Sequence, residues 1–395
     1  MYYSYRSNDI HVLPDDLWAF AWSAPMRDLA AQVGMSDVGL KKLLRAHGVT
    51  TPPQGHWNKV HAGRPVPERP KAPDRRPGER GRIRLDEKFS KVLSAAPAIP
   101  VEGPFASKFV PEDLEELRAM ELKALGKVAV PPNLLSAHPG LVALMKKEER
   151  QREEYSVSRY SWDEPRFDNP FDQRRMRFAN GLFRALAKRG HSGNAHEQGD
   201  ELHFGAVIGD TFIAVQIDTA GNQRKATRRG YASSKRDIPV STPMLLKLGS
   251  MHRNEPGETW QDDKSGKIES RLAEIAAGVI VAGEAAFRRG LRAEQERLEE
   301  ARGYEEARRQ EKLAALEKER LGQLRRSGEL LREAEDIRRL VEGVKAAVLL
   351  GDQPVVSDQD LENWEKWAVG YADRIDPIKS GQFLTHVQAP KLLGD

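Results

Sequence analysis

The sequence predicts a multidomain, mainly α fold with a small α+β domain: an N-terminal helix-turn-helix bundle, a long charged helix and C-terminal helices. Three observations lead there. Apolar residues recur at helical spacing from the N-terminal region to the C-terminal tail. One stretch departs from this: ELHFGAVIG and TFIAVQIDT have strand composition and are separated by Gly209 and Asp210, a two-residue hairpin signal. From Arg288 to Arg320, finally, charge occupies every face of a helical pattern.

In chain order, DDLWAFAWSAP between Leu13 and Pro25 places Leu17, Phe20, Ala21 and Trp22 on one helical face, and Pro14, Asp15 and Asp16 suit a helix N-terminus. Trp18 or Trp22 would anchor a three-helix core. Next, PMRDLAAQVGMSDVGLKKLLRAHGV fits two short helices meeting across a tight turn. Leu29, Ala30 and Val33 form the inward face of the first. Gly34 can take the positive φ of the turn, and Ser36 is placed to cap a second helix on which Leu40, Leu43 and Leu44 repeat. Ala30 is small where the second helix must cross the first closely.

This pattern resembles the helix-turn-helix superfamily of DNA-binding proteins over about 20 residues, in which the second helix reads the major groove. The resemblance implies Ser36, Asp37, Val38, Lys41, Lys42 and Arg45 as outward, DNA-facing positions. Lys41, Lys42 and Arg45 could reach phosphates or guanine edges, and Ser36 could bond either. Asp37 fits less well, since phosphates repel a carboxylate unless it accepts from a cytosine amine or caps its own helix. The alternative is a purely structural helical hairpin. The paired prolines of VTTPPQGHWNKVHAGR favour an extended strand, which would bring His56, Lys59, His61 and Arg64 to a backbone or minor groove. Alternatively Trp57 closes the bundle and the charges face solvent. The motif with PPQGHWNKVHAGR also resembles the N-terminal region of bacterial proteins without an assigned activity, some on mobile elements.

These readings divide the chain into residues 1–63, a helix-turn-helix DNA-binding domain; 64–110, a Pro/Arg-rich linker; and 111–171, a helical connector. They continue with 172–287, the α+β domain; 288–326, the long charged helix; and 327–395, a C-terminal helical region. RPVPERPKAPDRRPGERGR, residues 64–82, lacks any apolar period. VPEDLEELRAMELKALGKV predicts a helix beginning near Pro111, and another is expected from His138 to Tyr155. QRRMRFANGLFRALAKRGH predicts a helix ending at Gly190. A third strand around Ile238 to Leu248 would be confined to an edge by Pro239 and Pro243. Between the strands GNQRKATRRGYASSKR forms a second basic cluster. Its Arg224, Lys225, Arg228, Arg229, Lys235 and Arg236 could track a nucleic-acid backbone, with Tyr231 stacking on a base; solvated arginines are the plain alternative.

From Ile268 an apolar face through Leu272, Ile275, Val279 and Ile280 should pack on the sheet. Beyond it, Leu291, Leu298, Leu313 and Leu316 are too sparse for clean coiled-coil heptads. A more amphipathic helix resumes after Ser327 and Gly328. In SDQDLENWEKWAVGYADRIDPI, Ser357 is placed as a cap, and Trp364 and Trp367 are expected as core or interface anchors.

Composition narrows the function. The chain has 395 residues, 39% hydrophobic and 31% charged, a net charge of +4 and no cysteine. Disulfides and every thiolate site are thereby excluded. No apolar run spans a membrane and the N-terminus is too polar for a signal peptide, so no membrane association and a cytoplasmic location are expected. From Lys41 to Lys88 there are 13 Lys or Arg against 5 Asp or Glu, the local field that phosphate neutralisation needs. GxxxxGK[ST], HExxH, GxSxG and a strand-linked GxGxxG are all missing. Asp218 has no lysine two residues on, which removes the nuclease pattern, and His191, His196 and His203 read as ordinary polar residues. No enzyme activity, cofactor or metal is therefore expected. The expected partner is double-stranded DNA, bound sequence-specifically by a regulator or mobile-element accessory factor, with a homodimer through the C-terminal helices allowed. The alternative is a non-enzymatic scaffold whose helical arm binds proteins.

Overall fold

The computed structural model describes residues 9–157, 169–198, 201–220, 238–249, 257–351 and 356–387. It is mainly helical, with a small strand portion in two sheets and one long helix. The chain divides into two compact units, Met1–Ala293 and Glu294–Asp395. Among the described residues, no helix is long and apolar enough to cross a membrane.

The first unit opens with β1 (Ile10–Val12), α1 (Pro14–Ala21), α2 (Met26–Gln32), α3 (Asp37–Ala46) and α4 (His56–His61). Leu17, Trp18, Phe20, Leu29, Ala30, Val33, Leu40 and Leu44 form its core as their spacing predicts. The residues read as a linker complete that core. β2 (Ile83–Leu85) pairs antiparallel with β1, setting Ile10 opposite Leu85, and Phe89, on a 3-10 turn over Glu87–Lys91, meets Phe20 edge-on with ring centroids 6.1 Å apart. The prolines and arginines of 64–82 masked this role, because the apolar residues that do the packing come only after them.

The rest of the unit surrounds a five-stranded antiparallel sheet of sequential order: β3 (Ser192–Gln198), β4 (Glu201–Ile208), β5 (Thr211–Thr219), β6 (Met244–Gly249) and β7 (Thr259–Gln261). Ile208 pairs with Thr211 across Gly209 and Asp210, the two-residue hairpin predicted. Alternate residues Phe204, Ala206, Ile208, Ile213, Val215, Ile217, Met244, Leu246 and Leu248 are buried. They share one core with Phe178, Leu182, Phe183 and Leu186 of α7 (Pro170–Lys188), and with Leu272, Ile275, Val279 and Ile280 at the start of α8 (Leu272–Leu349). α5 (Leu114–Leu125), capped by Asp113, and α6 (Pro139–Val157) add Leu125, Leu141 and Leu144 to it.

One expectation needs correction in the sheet. The strand expected at an edge, β6, lies between β5 and β7, because Pro239 and Pro243 precede its first residue and leave every ladder N–H intact. In the same sheet His196 of β3 lies directly opposite His203 of β4 and the rings stack 5.5 Å apart. No cluster of three or more metal-ligating side chains occurs among the described residues.

Charge is buried in this unit, and Arg174 and Glu284 are the most fully answered of its buried groups. The Arg174 guanidinium donates to Glu269 at 2.5 and 2.7 Å and to the Thr242 carbonyl at 3.0 Å, and pairs with Asp262 at 2.8 Å. Glu284, 0% exposed, accepts from Arg75 at 2.8 and 2.9 Å, from the Gly78 N–H at 2.8 Å and from Arg288 at 2.9 Å. Arg75 belongs to the supposed linker. Its loop is fixed further by the Gly78 carbonyl, which accepts from Asp210 N–H at 3.0 Å on the β4–β5 hairpin. Gly78 has φ 74°, and a Cβ there would meet the Ile208 carbonyl at 2.1 Å, so only glycine fits.

The second unit holds the remainder of α8, α9 (Asp358–Ile375) and α10 (Leu384–Val387). The helix expected to pause at Ser327 and Gly328 runs unbroken through both, and through Gly303 and Gly322. Each glycine costs only about 1 kcal/mol and no proline interrupts the run. Ala334 and Val341 of α8 and Ala368 and Ala372 of α9 are buried, and Arg338 pairs with Asp373 and Asp376 at 2.8 Å each.

Two outcomes test this architecture. Burial alone would raise the Glu284 carboxyl, but hydrogen bonds from Arg75, Gly78 and Arg288 hold it below its ordinary value. Its contribution is therefore present above the unfolded carboxylate pKa and is lost as pH falls through the depressed folded one. Glu284→Ala should cost about 3–5 kcal/mol in urea unfolding at neutral pH, since it strands Arg75 without its carboxylate. His191 has the same sign of dependence for a different reason. Burial lowers its imidazole from 6.5 to about 4, so the unfolded chain takes a proton that the folded chain refuses, and stability falls as pH drops through that window by at most about 3 kcal/mol. His191→Gln should flatten that part of the stability curve.

Candidate nucleic-acid interface

The head is built around the turn between α2 and α3. Gly34 has φ 64°. Its N–H donates to the Ala31 carbonyl at 3.2 Å, and Met35 N–H donates to the Ala30 carbonyl at 2.9 Å. This pair of bonds is a Schellman closure, which needs the left-handed residue that glycine supplies without strain. Ser36 then caps α3 with its hydroxyl accepting from Gly39 N–H at 3.1 Å. Leu40 and Leu44 are buried and Leu43 half-buried on the side of α3 that faces the core.

At about 100° per residue, Val38, Lys41, Lys42 and Arg45 fall within an arc of about 100° on the opposite side. All four are exposed, as are Ser36 and Asp37. Val38 is 72% exposed. Lys41, Lys42 and Arg45 take part in no ion pair or side-chain hydrogen bond with the described residues. Asp37 is partly engaged by its own helix, its Oδ1 accepting from Val38 N–H at 2.9 Å, so its charge sits at the positive end of the α3 dipole. Burial pulls the His47 imidazole below its ordinary value, leaving Arg45 as the charge of the last turn.

The segment after α3 differs from its expected form. It is extended only as far as the prolines. Gly55, at φ 81°, then starts a short helix, and His56 N–H donates to the Pro53 carbonyl at 3.1 Å. His56 is thereby turned inward and buried between Trp22 and Trp57, at ring-centroid distances of 5.3 and 5.1 Å. It is removed from the contact set. Lys59, His61 and Arg64 remain exposed. Arg224, Lys225, Arg228, Arg229, Tyr231, Lys235 and Arg236 lie outside the described residues.

Sequence reading missed the bonds that hold this surface still. The Trp22 indole N–H donates to the Thr50 carbonyl at 2.6 Å, and Arg69 donates to the Asp15 carbonyl at 2.8 Å and pairs with its carboxylate at 3.2 Å. Only the tryptophan carried a signal, as an aromatic with a polar tip next to a helix end. Between Val38 and Pro67 the sequence has five Lys or Arg and no Asp or Glu. Past Asp37, α3 and the chain that follows as far as Pro67 carry cations with no acid among them.

The fold and the surface define a mainly α chain with a capped helical pair presenting free cations. No known protein family, curated protein or solved structure matches it.

Ser36→Ala removes the cap of α3 and should lower the stability of the head by about 1 kcal/mol. Gly34→Ala, forced to hold φ 64°, should cost about 1–2 kcal/mol. Amide exchange of Leu40 and Leu44 in the two variants reads both effects.

Proposed function

We propose that this chain is a DNA-binding protein that sets α3 in the major groove, as a regulator or mobile-element accessory factor. The observation that supports it best is the exposed arc of α3, where Lys41, Lys42 and Arg45 stand unpaired on a helix fixed by its cap and by two buried leucines. Long cations on a rigid helix suit phosphates and guanine edges, and Val38 suits a thymine methyl. Lys59 and Arg64 would add backbone contacts, and the basic segment from Arg224 to Arg236, by its composition, a second one. No reaction is proposed.

A second reading, a non-enzymatic scaffold, is favoured by the exposed Trp367 and Leu340 of the second unit. The two differ in their response to salt. Titration of a labelled duplex across a salt series should show affinity falling linearly on logarithmic axes. Lys41→Ala with Lys42→Ala should weaken binding and reduce the slope by about 1 for each lysine that meets a phosphate. Folded protein that ignores duplex at low salt, or a double variant with an unchanged slope, would defeat the DNA reading.

A further inference from the structure

The C-terminal helices carry an unfinished surface. α8 and α9 pack along a seam of Ala334, Val341, Ala368 and Ala372, beside Pro377, and in the second unit these are the covered apolar residues among those described. Three of the five are alanines, so the seam buries little. Much larger side chains stay outside: Leu340 is 60% exposed, Trp367 66% and Tyr371 40%. Scattered singly they would need no explanation. Their placement is not scattered.

The ion pairs fix the register of the two antiparallel helices, Arg338 meeting Asp373 and Asp376 at 2.8 Å, and Lys345 meeting Glu365 at 2.9 Å. At about 100° per residue, these paired groups fall on one flank of the seam. Leu340, Trp367 and Tyr371 fall on the other, with the half-buried Ile337, Val344 and Trp364 between them and the seam. One flank is closed by charge pairs; the other is apolar and aromatic.

That second flank also carries complementary charges. On α8 a shallow groove is lined by Glu329, Arg332, Glu333, Asp336, Ile337 and Leu340. On α9, Arg374 lies over the Tyr371 ring, 6.0 Å from its centroid. Neither Glu329 nor Glu333 pairs with a cation, nor Arg374 with a carboxylate, among the described residues. An acidic, apolar-floored groove on one helix and an aromatic-cationic ridge on the other are the two halves of a self-complementary patch. A two-fold axis brings such halves together twice.

We propose that this flank is the interface with a second copy of the chain. Trp367 of each copy enters the partner's groove between Glu333 and Leu340, and Arg374 meets the acidic groove wall. A central aromatic anchor inside a ring of charge is the usual make-up of a stable interface. The surface does not depend on DNA binding by the head.

The test is the mass of the full chain in solution by light scattering over a concentration series. The expected result is twice the chain mass of 44.3 kDa. Trp367→Glu should raise the dissociation constant about tenfold or more with unchanged helical circular dichroism. Arg374→Glu should weaken the dimer, and Arg374→Glu with Glu333→Arg should restore it. A wild-type chain at single mass throughout would overturn the proposal, whatever else covers the flank. So would a dimer that survives Leu340→Glu with Trp367→Glu, since the copies would then meet elsewhere.

Discussion

A carboxylate with no solvent contact, Glu284, sets the constraint on which the first unit depends. Ionised burial is tolerable only where hydrogen-bond donors replace water, and the three that do so come from different places. Arg288 is one helical turn away. Arg75 and the Gly78 N–H come from a loop more than 200 residues earlier. Arg75 is itself held by the Glu79 and Phe105 carbonyls at 3.1 and 2.8 Å and lies 5.1 Å over the Phe287 ring. Arg288 caps the Phe105 ring at 4.7 Å and donates to the Glu112 and Pro111 carbonyls. Helix, sheet hairpin and loop thus share one charge centre, and loss of any donor leaves the others misaligned.

The stretch between head and sheet is therefore a strap. Its C-terminal end gives the head a strand and Phe89, and its middle gives the sheet Arg75 and Gly78. A proline- and arginine-rich composition remains compatible with this role. Such a segment cannot form a helix or a long strand, yet its arginines can be fixed one at a time by carboxylates and carbonyls. Composition separates ordered straps from free linkers poorly, because the apolar content is low in both.

What was legible in the sequence was local. Gly34, Ser36 and the leucines of α3 lie within a dozen residues, and their turn and cap are set by backbone geometry between neighbours. The same holds for Gly209 with Asp210, and for Ser357, whose hydroxyl accepts from Asp360 N–H at 3.1 Å. What escaped is set by partners far along the chain. β3 has a sequence, SGNAHEQ, without strand character, and owes its form to pairing with β4. His56 reads as a polar contact residue, but the restart of helix after Gly55 directs it between two tryptophans. The burial of Arg174 and Arg175 in α7 is equally invisible, since their carboxylates stand on other elements or in the first turn of their own helix. In the candidate site, the exposure of the α3 arc was readable and the burial of His56 was not, for this same reason.

The head differs from much of the chain in how its cations are held. In the first unit Arg75, Arg118, Arg174, Arg175, Arg189 and Arg288 each face a carboxylate within 3.3 Å. Arg338 and Lys345 do so in the second. Paired charges cancel at a distance, so they add little to the field outside the protein. Lys41, Lys42 and Arg45 form no ion pair with a carboxylate among the described residues, and the acid-free run from Val38 to Pro67 continues their sign. A net charge of only +4 therefore understates the local potential at α3, because the run from Val38 to Pro67 holds five Lys or Arg and no Asp or Glu. A backbone already held by a cap and a buried leucine face adds no ordering cost of its own when its cations meet a polyanion; only their side-chain rotamers are then lost. The same three side chains on a mobile tail would attract phosphate equally well but could not hold a register on it.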